Sequence, residues 1–243
     1  MPRLVLVALL LAVAAPARDG RAEAPAQARS GPVVLELFTS QGCSACPPAD
    51  KLLASLAGRE GVIALSFHVP YWDHMGWRDP FALAVSVQRQ RGYARALRQR
   101  SIYTPQLVVQ GAAEAIGHDR EAVERLIAAA PVIASIAASV RGQRPPVLSV
   151  AIPALSLPQG EVQLWLIAYS RSEIVHVSNG ENAGHTLHHA HVVRWAAPVA
   201  TIEEAPAVLS IAAPEAQAAD GVAMLLQRAR QGPVLAAGRV ALR

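Results

Sequence analysis

The run Val33-Val34-Leu35-Glu36-Leu37-Phe38-Thr39-Ser40-Gln41-Gly42-Cys43-Ser44-Ala45-Cys46-Pro47-Pro48 decides how the rest of the chain is read. Residues 33–38 are β-branched, long or aromatic and stop at the turn-forming Thr39-Ser40-Gln41-Gly42, which predicts a strand. Two cysteines follow at once, separated by Ser44 and Ala45. Behind them Leu52, Leu53 and Leu56 recur at helical spacing, predicting a helix over 48–57 that Gly58 and Gly61 end. Residues 62–69 are apolar on both faces, as a buried parallel strand would be.

Further along, Tyr71-Trp72-Asp73-His74-Met75-Gly76-Trp77 is an aromatic loop. Asp79-Pro80 has the form of a helix opening, and the helix it predicts runs to about Arg100, weakened at Gly92. Strands are expected at 106–110 and 113–116, then a helix over 120–130 capped by Asp119 and closed by Pro131. Beyond Pro131 the apolar runs become short and alternating: 147–152, 162–169, 174–177, 189–195, 208–212, 222–226 and 234–242. Pro and Gly between them suggest a mainly antiparallel β-sandwich. The expected architecture is an α/β domain over 31–131 followed by a β-sandwich-like, β-rich domain over 145–243. The alanine-rich piece 133–140 reads equally as a strand start or an extra helical turn.

Arg3, the apolar run 4–15 and the small residues near Ala22-Glu23-Ala24 have the order of a signal peptide over 1–24. The run is too short to span a bilayer, which takes roughly 20 apolar residues. The chain is therefore expected to be exported, periplasmic or secreted, without stable membrane insertion. Its formal charge is +4, from 22 Lys+Arg against 18 Asp+Glu, and Lys51 is the sole lysine. No basic cluster carries interleaved aromatics, so nucleic acid is not an expected partner.

The two cysteines carry the chemistry. An exported chain meets an oxidising compartment, and a structural staple there usually closes a long loop. A bridge between near neighbours constrains little, so reactivity explains the pair better. Between a strand and a helix, the first sulfur lies near the positive helix end, which stabilises a thiolate. Cys43 is then the exposed nucleophile and Cys46 the buried sulfur that resolves the mixed disulfide. Pro47 and Pro48 complicate this, because a residue before proline avoids helical angles. The helix is expected to start near Pro48, somewhat away from Cys43.

These residues resemble thioredoxin: a strand, the Cys43–Cys46 turn with a helix behind it, and later Ile102-Tyr103-Thr104-Pro105 before a strand. The resemblance implies a thioredoxin-like fold for the first domain, a cis Thr104–Pro105 peptide, and Thr104 and Pro105 lying against the Cys43 sulfur. It also implies a buried acid below the pair. Glu36 is near that place but one residue out of step, so it is either a proton shuttle or a charge that sits at a strand edge or pairs with an arginine. The inner dipeptide Ser44-Ala45 departs from thioredoxin's own. A closer likeness rests on Phe38–Asp50, Tyr71-Trp72-Asp73, Gly76-Trp77-Arg78-Asp79-Pro80-Phe81, Tyr103-Thr104-Pro105-Gln106 and Gly180-Glu181-Asn182-Ala183-Gly184. These strings resemble a family of secreted bacterial thioredoxin-like proteins of unknown function.

Tyr71, Trp72, Asp73, His74 and Trp77 follow a strand end, where open parallel sheets carry their sites. They form either a substrate groove or an aromatic plug. His68, inside a strand, reads as a core residue. His185, His188, His189 and His191 tempt a metal reading, but only His189 and His191 would share a strand face. They read as strand-surface imidazoles, with Gly180–Gly184 a tight turn. Arg89, Arg91, Arg95, Arg98 and Arg100 read as a solvated helix face. Haem attachment needs His at position 47, which is proline; a zinc ribbon needs a second cysteine pair; no phosphate loop is present. No cofactor or metal is expected. The leading function is dithiol–disulfide exchange with a protein or small-molecule thiol or disulfide substrate and a separate redox partner. The alternatives are a periplasmic copper-handling protein and a binding module with a static bridge. The exchange reading requires a reachable Cys43 with Pro105 close by.

Overall fold

The computed structural model describes residues 31–142 and 145–243, so the expected signal peptide lies outside the described residues. Strand β1 (Val33–Thr39) is buried along its whole length. Its Leu35 and Leu37 meet Leu52, Leu53 and Leu56 of α1 (Pro47–Ala57) and Val123 and Ile127 of α3 (Arg120–Ala129). Val34 and Phe38 point the other way, into a cluster with Tyr93 of α2 (Ala84–Ala96). β2 (Val62–His68) runs parallel to β1. β3 (Gln106–Val109) runs antiparallel on its other side, followed by β4 (Ala113–Ile116).

The architecture expected from the sequence is not the one that forms. Among the described residues the fold is mostly β, 42% strand and 20% helix, built on one large curled sheet, rather than an α/β thioredoxin-like domain followed by a β-sandwich. The reason lies at β2. Its side chains are buried on both faces, and its free edge would present unpaired backbone groups. That edge is taken by β9 (Thr186–Thr201), parallel, through Ser66 and Val192. β9 pairs with β8 (Val162–His176), β8 with β11 (Gly221–Arg228), β11 with β12 (Val234–Ala241), and β12 with β5 (Ala134–Ser135). Among the described residues the sheet has nine strands in the order β4-β3-β1-β2-β9-β8-β11-β12-β5. A second sheet, β10-β7-β6, comprises β6 (Ala137–Arg141), β7 (Val147–Ile152) and β10 (Ala207–Ala212).

The curl brings distant strands onto one core. Trp165, Ile167 and Tyr169 of β8 and Ala223 and Leu225 of β11 join the same cluster as Val34, Phe38, Phe67 and Tyr93. The opposite faces of β8 and β11, with Leu164, Leu166, Met224 and Leu226, pack on Leu148, Val150 and Ile152 of β7. Helix α2 is shorter than expected. Arg89 on it is fully buried rather than on a solvated face, whereas Arg91, Arg95, Arg98 and Arg100 are exposed. Arg89 is tolerated inside because Glu36 of β1 pairs with its Nε and its Nη2 (Nη2–Oε1 2.9 Å), and Gln227 of β11 accepts from it at 2.9 Å. Its guanidinium also lies 4.7 Å from the Trp165 ring, and a buried charge persists only with such partners. No helix among the described residues is long and apolar enough to cross a membrane.

β8 and β9 are long, 15 and 16 residues, so their hairpin extends about 50 Å. Its tip, residues 177–185, is closed by hydrogen bonds from the Val177 amide to the His185 carbonyl and from the Gly184 amide to the Val177 carbonyl. The tip comes down on the turn after β1.

Candidate functional site

Cys43 and Cys46 are joined in a disulfide with their Cα atoms 5.4 Å apart. The turn that carries them is tight: the Cys43 amide donates to the Ser40 carbonyl, and the Cys46 amide to the Cys43 carbonyl. Cys46 is the N-cap of α1 in helical φ/ψ, and Pro47 and Pro48 open the helix. The helix thus starts one residue earlier than expected. Neither proline has an N–H, and the next two amides, of Ala49 and Asp50, both bond the Cys46 carbonyl. The helix end therefore offers Cys43 its dipole but no cluster of free donors.

Cys43 is 1% exposed and Cys46 fully buried; the surface of the turn is made by Ser44 and Ala45. The expectation of an exposed Cys43 is thus not met in this state. The cover comes from the hairpin tip. Asn182, itself buried, donates from Nδ2 to the carbonyls of Gln41 (2.8 Å) and Cys43 (3.0 Å). The Ser44 amide donates to Glu181 Oε2 at 3.3 Å. Gly180 holds a positive φ of 77° and packs so closely on the aromatic loop that a Cβ there would sit 3.0 Å from the Met75 carbonyl oxygen.

The aromatic loop brackets the turn from the other side. Residues 70–75 form a 3-10 helix. Trp72 lies against Gly42, where a Cβ would come within 3.0 Å of the Trp72 Cβ. Its indole N–H donates to Thr104 Oγ1 at 2.7 Å, and that of Trp77 to Gln41 Oε1 at 2.9 Å. Asp73 accepts from the Asp79 amide, and the Tyr71 hydroxyl donates to Gln90 Oε1; burial raises the Tyr71 pKa. Tyr71 and Trp72 also pack on the core beneath α2. His74 is exposed. The Thr104–Pro105 peptide is cis, and Pro105 sits with Ala49 of α1 and Leu37 around Gly117. Thr104, Pro105, Trp72, Trp77 and the cysteine turn are thus brought together.

Glu36 is placed on the face of β1 that looks towards α2, away from α1. It is bound by Arg89 and by the Tyr93 hydroxyl, which is the arginine-paired arrangement. Burial, coupled to the nearby Glu36 charge, holds the Tyr93 phenol far above its usual range. Beneath the cysteine turn stand different groups. Asp79 Oδ2 accepts from the Gln41 amide at 2.8 Å and meets His68 Nδ1 at 2.7 Å. Burial alone would raise the Asp79 pKa; His68 and the amides of Gln41 and Phe81 outweigh it and lower it. The His68 ring lies 4.7 Å from that of His189, whose Nδ1 is 3.6 Å from Asp50 Oδ2.

His189 is therefore buried rather than on the strand surface, whereas His185 and His188 are exposed. His191, at a positive φ, bonds the Ala64 carbonyl. Among the described residues no group of three His, Cys, Asp or Glu is arranged to hold a metal. Sequence reasoning missed Asp50, Asp79, Glu181, Asn182 and His189 as members of this site. Asp79 reads as a helix cap and Gly180–Gly184 as a plain turn. The inclusion of Asp50, Asp79, Glu181 and Asn182 in the strings that carry the family resemblance is the signal that could have found them; His189 lies in none of those strings.

Residues 34–227 match the family described as "Protein of unknown function (DUF1223)". No curated protein matches the sequence. Among solved structures, protein AGR_C_4864 from Agrobacterium tumefaciens is similar at a TM-score of 0.76 and 27% identity, over 89% of this chain and 97% of that one. HBP35 of Porphyromonas gingivalis is similar at a TM-score of 0.61 and 15% identity, over 88% of this chain and 76% of that one, a likeness of fold alone.

Proposed function

We propose, from the premise that this chain belongs to the DUF1223 family, that it is a thiol–disulfide oxidoreductase of an exported compartment whose Cys43–Cys46 pair is gated by the β8–β9 hairpin tip. The observation that carries this reading is the two-residue-spaced disulfide set beside Trp72 and the cis Thr104–Pro105 peptide. Cys43 is covered in this structure, so exchange requires the cover to open; that cover is a hydrogen-bonded clamp from a hairpin tip whose Glu181, Ala183 and Gly184 are exposed. Such a cover opens locally at far lower cost than the whole fold. A bridge closing so short a loop contributes only about 2 kcal/mol by the loop-length relation, which makes a purely stabilising role weak. The likeness to thioredoxin-like proteins is kept for the redox turn with Thr104 and Pro105, not for the fold.

The chemistry needs only sulfur. In the reducing direction the Cys43 thiolate attacks one sulfur of a substrate disulfide, and the other substrate sulfur leaves as a thiolate. Cys46 then loses its proton and attacks the Cys43 sulfur, expelling the second substrate thiolate. The protein dithiol is oxidised by two electrons and the substrate disulfide reduced by two. The oxidising direction is the reverse. A protein or small-molecule thiol is the substrate class, and a separate redox partner resets the pair.

The test is trapping and titration. With Cys46→Ser, a mixed disulfide should accumulate at Cys43 when the reduced protein meets oxidised glutathione, and the native pair should equilibrate reversibly in glutathione buffers. Neither event would leave the second reading, a binding module with a static bridge. The burial of both cysteines is the observation that favours that alternative.

A further inference from the structure

We infer that Asp50 and His189 form a proton relay for Cys46, taking the thiol proton when Cys46 resolves a mixed disulfide and returning it when the pair is reduced. The inference rests on the exchange reading above and adds the groups that move its proton. Asp50 lies in the first turn of α1, its amide on the Cys46 carbonyl. Side chains four apart on a helix share a face, so its carboxylate and the Cys46 sulfur lie on the same side of that turn. Asp50 is 5% exposed, and its Oδ1 has no hydrogen-bond partner. His189, 2% exposed, reaches it from β9, and neither of its ring nitrogens is hydrogen-bonded. His68 Nε2, on the ring packed edge-on against His189, is also unpartnered, while Asp79 holds its Nδ1.

Buried polar atoms in folded proteins nearly always find partners. Here four such atoms, on Asp50, His189 and His68, gather under one turn, and that turn carries the two cysteines. A plug built only for packing would be apolar; Phe81, 6.1 Å from the His189 ring, is the apolar neighbour. The groups facing the relay are few. α1 supplies Asp50, β2 supplies His68, and the segment before α2 supplies Asp79. On β8, Glu173 is opposite His189 and pairs with Arg194, which lies over Phe81. In the closed disulfide there is no thiol proton to accept, which accounts for the unpartnered Oδ1. Once the pair is reduced, the Cys46 S–H is the donor that this acceptor lacks. The proton passes from Cys46 to Asp50 as the Cys46–Cys43 bond forms and the substrate thiolate leaves.

The experiment separates the two steps. Reduced protein is mixed with oxidised glutathione. Capture at Cys43, which releases one equivalent of reduced glutathione, is timed in the Cys46→Ser background, and resolution is timed as release of the second equivalent with Cys46 present. Asp50→Asn and His189→Gln should slow resolution about 100-fold, the scale of general-base assistance, and make its rate climb with hydroxide. Asp50→Glu should recover part of the loss, and capture should change less than about twofold. In case the variants unfold, the native chain supplies its own measure: resolution, but not capture, should carry a solvent deuterium isotope effect. Native-rate resolution in both variants, equal slowing of both steps, or no isotope effect on resolution overturns the relay. If the native chain does not exchange with glutathione at all, the exchange reading falls and the relay with it.

Discussion

Replacing Asn182 with alanine should open the cover over the disulfide without dismantling the fold. Asn182 Nδ2 makes two buried hydrogen bonds, 2.8 Å to the Gln41 carbonyl and 3.0 Å to the Cys43 carbonyl. Each neutral bond is worth about 1 kcal/mol net, so losing both weakens closure by about 2 kcal/mol. If reduction proceeds from a locally opened state, its rate follows the open population, which rises about 30-fold for that free energy. The assay is reduction of the oxidised protein by excess dithiothreitol, with free thiols counted over time and circular dichroism confirming the fold. Asn182→Asp should accelerate reduction more, because it places a carboxylate against two carbonyl oxygens. Glu181→Gln should accelerate it less than about threefold, since its bond to the Ser44 amide is exposed and 3.3 Å long and exposed contacts contribute little. An Asn182→Ala protein reduced within twofold of the native rate would refute the gate.

Three further outcomes follow from the same geometry. Glu36→Ala leaves Arg89 buried without its carboxylate and should cost about 3–5 kcal/mol in denaturant unfolding, whereas the double substitution Glu36→Leu with Arg89→Met removes both charges and should recover most of that. Asp79 titrates lower in the folded chain than in the unfolded one, so its stabilisation is present above about pH 4 and is lost as pH falls through the folded value. Urea unfolding from pH 6 to 3 should show that slope in the native chain and its reduction in Asp79→Asn. Gly42→Ala places a Cβ 3.0 Å from the Trp72 Cβ and 3.2 Å from the Trp72 carbonyl oxygen. It should cost about 1–3 kcal/mol and alter Trp72 fluorescence as the bond to Thr104 loosens; an unchanged melting temperature would count against the contact.

Much of the local structure was legible because it is periodic. The strand at 33–38, the helix behind the cysteines, the strands near 106–110 and 113–116 and the helix at 120–130 all lie where apolar spacing and turn residues put them. The partners of those strands were not legible. Nothing in the run at 62–69 says that its free edge waits for Val192, and that pairing turns the expected α/β domain into part of a large β sheet. Arg89 shows the same limit. Beside Arg91 and Arg95 it has the look of solvent-facing helix, and only Glu36 and Gln227, far away in the chain, make its burial possible. At the site, the cysteine pair and the neighbourhood of Thr104-Pro105 could be read from short-range patterns. The Asn182 clamp and the Asp50–His189 contact join segments well over a hundred residues apart, and no local pattern records them.

Because the Arg89 guanidinium takes one partner from the first strand and another from β11, with Gln227 in turn bonded to the Tyr93 hydroxyl and the Gly232 carbonyl, the two ends of the polypeptide ripen together. A nascent or clipped chain that lacks its last two strands still has Arg89 and Tyr93 in place, yet holds a cation whose shell is incomplete. Trimming the C-terminus therefore should not yield a smaller working protein. It should yield a fragment that proteases clear, so that the molecule survives whole or not at all.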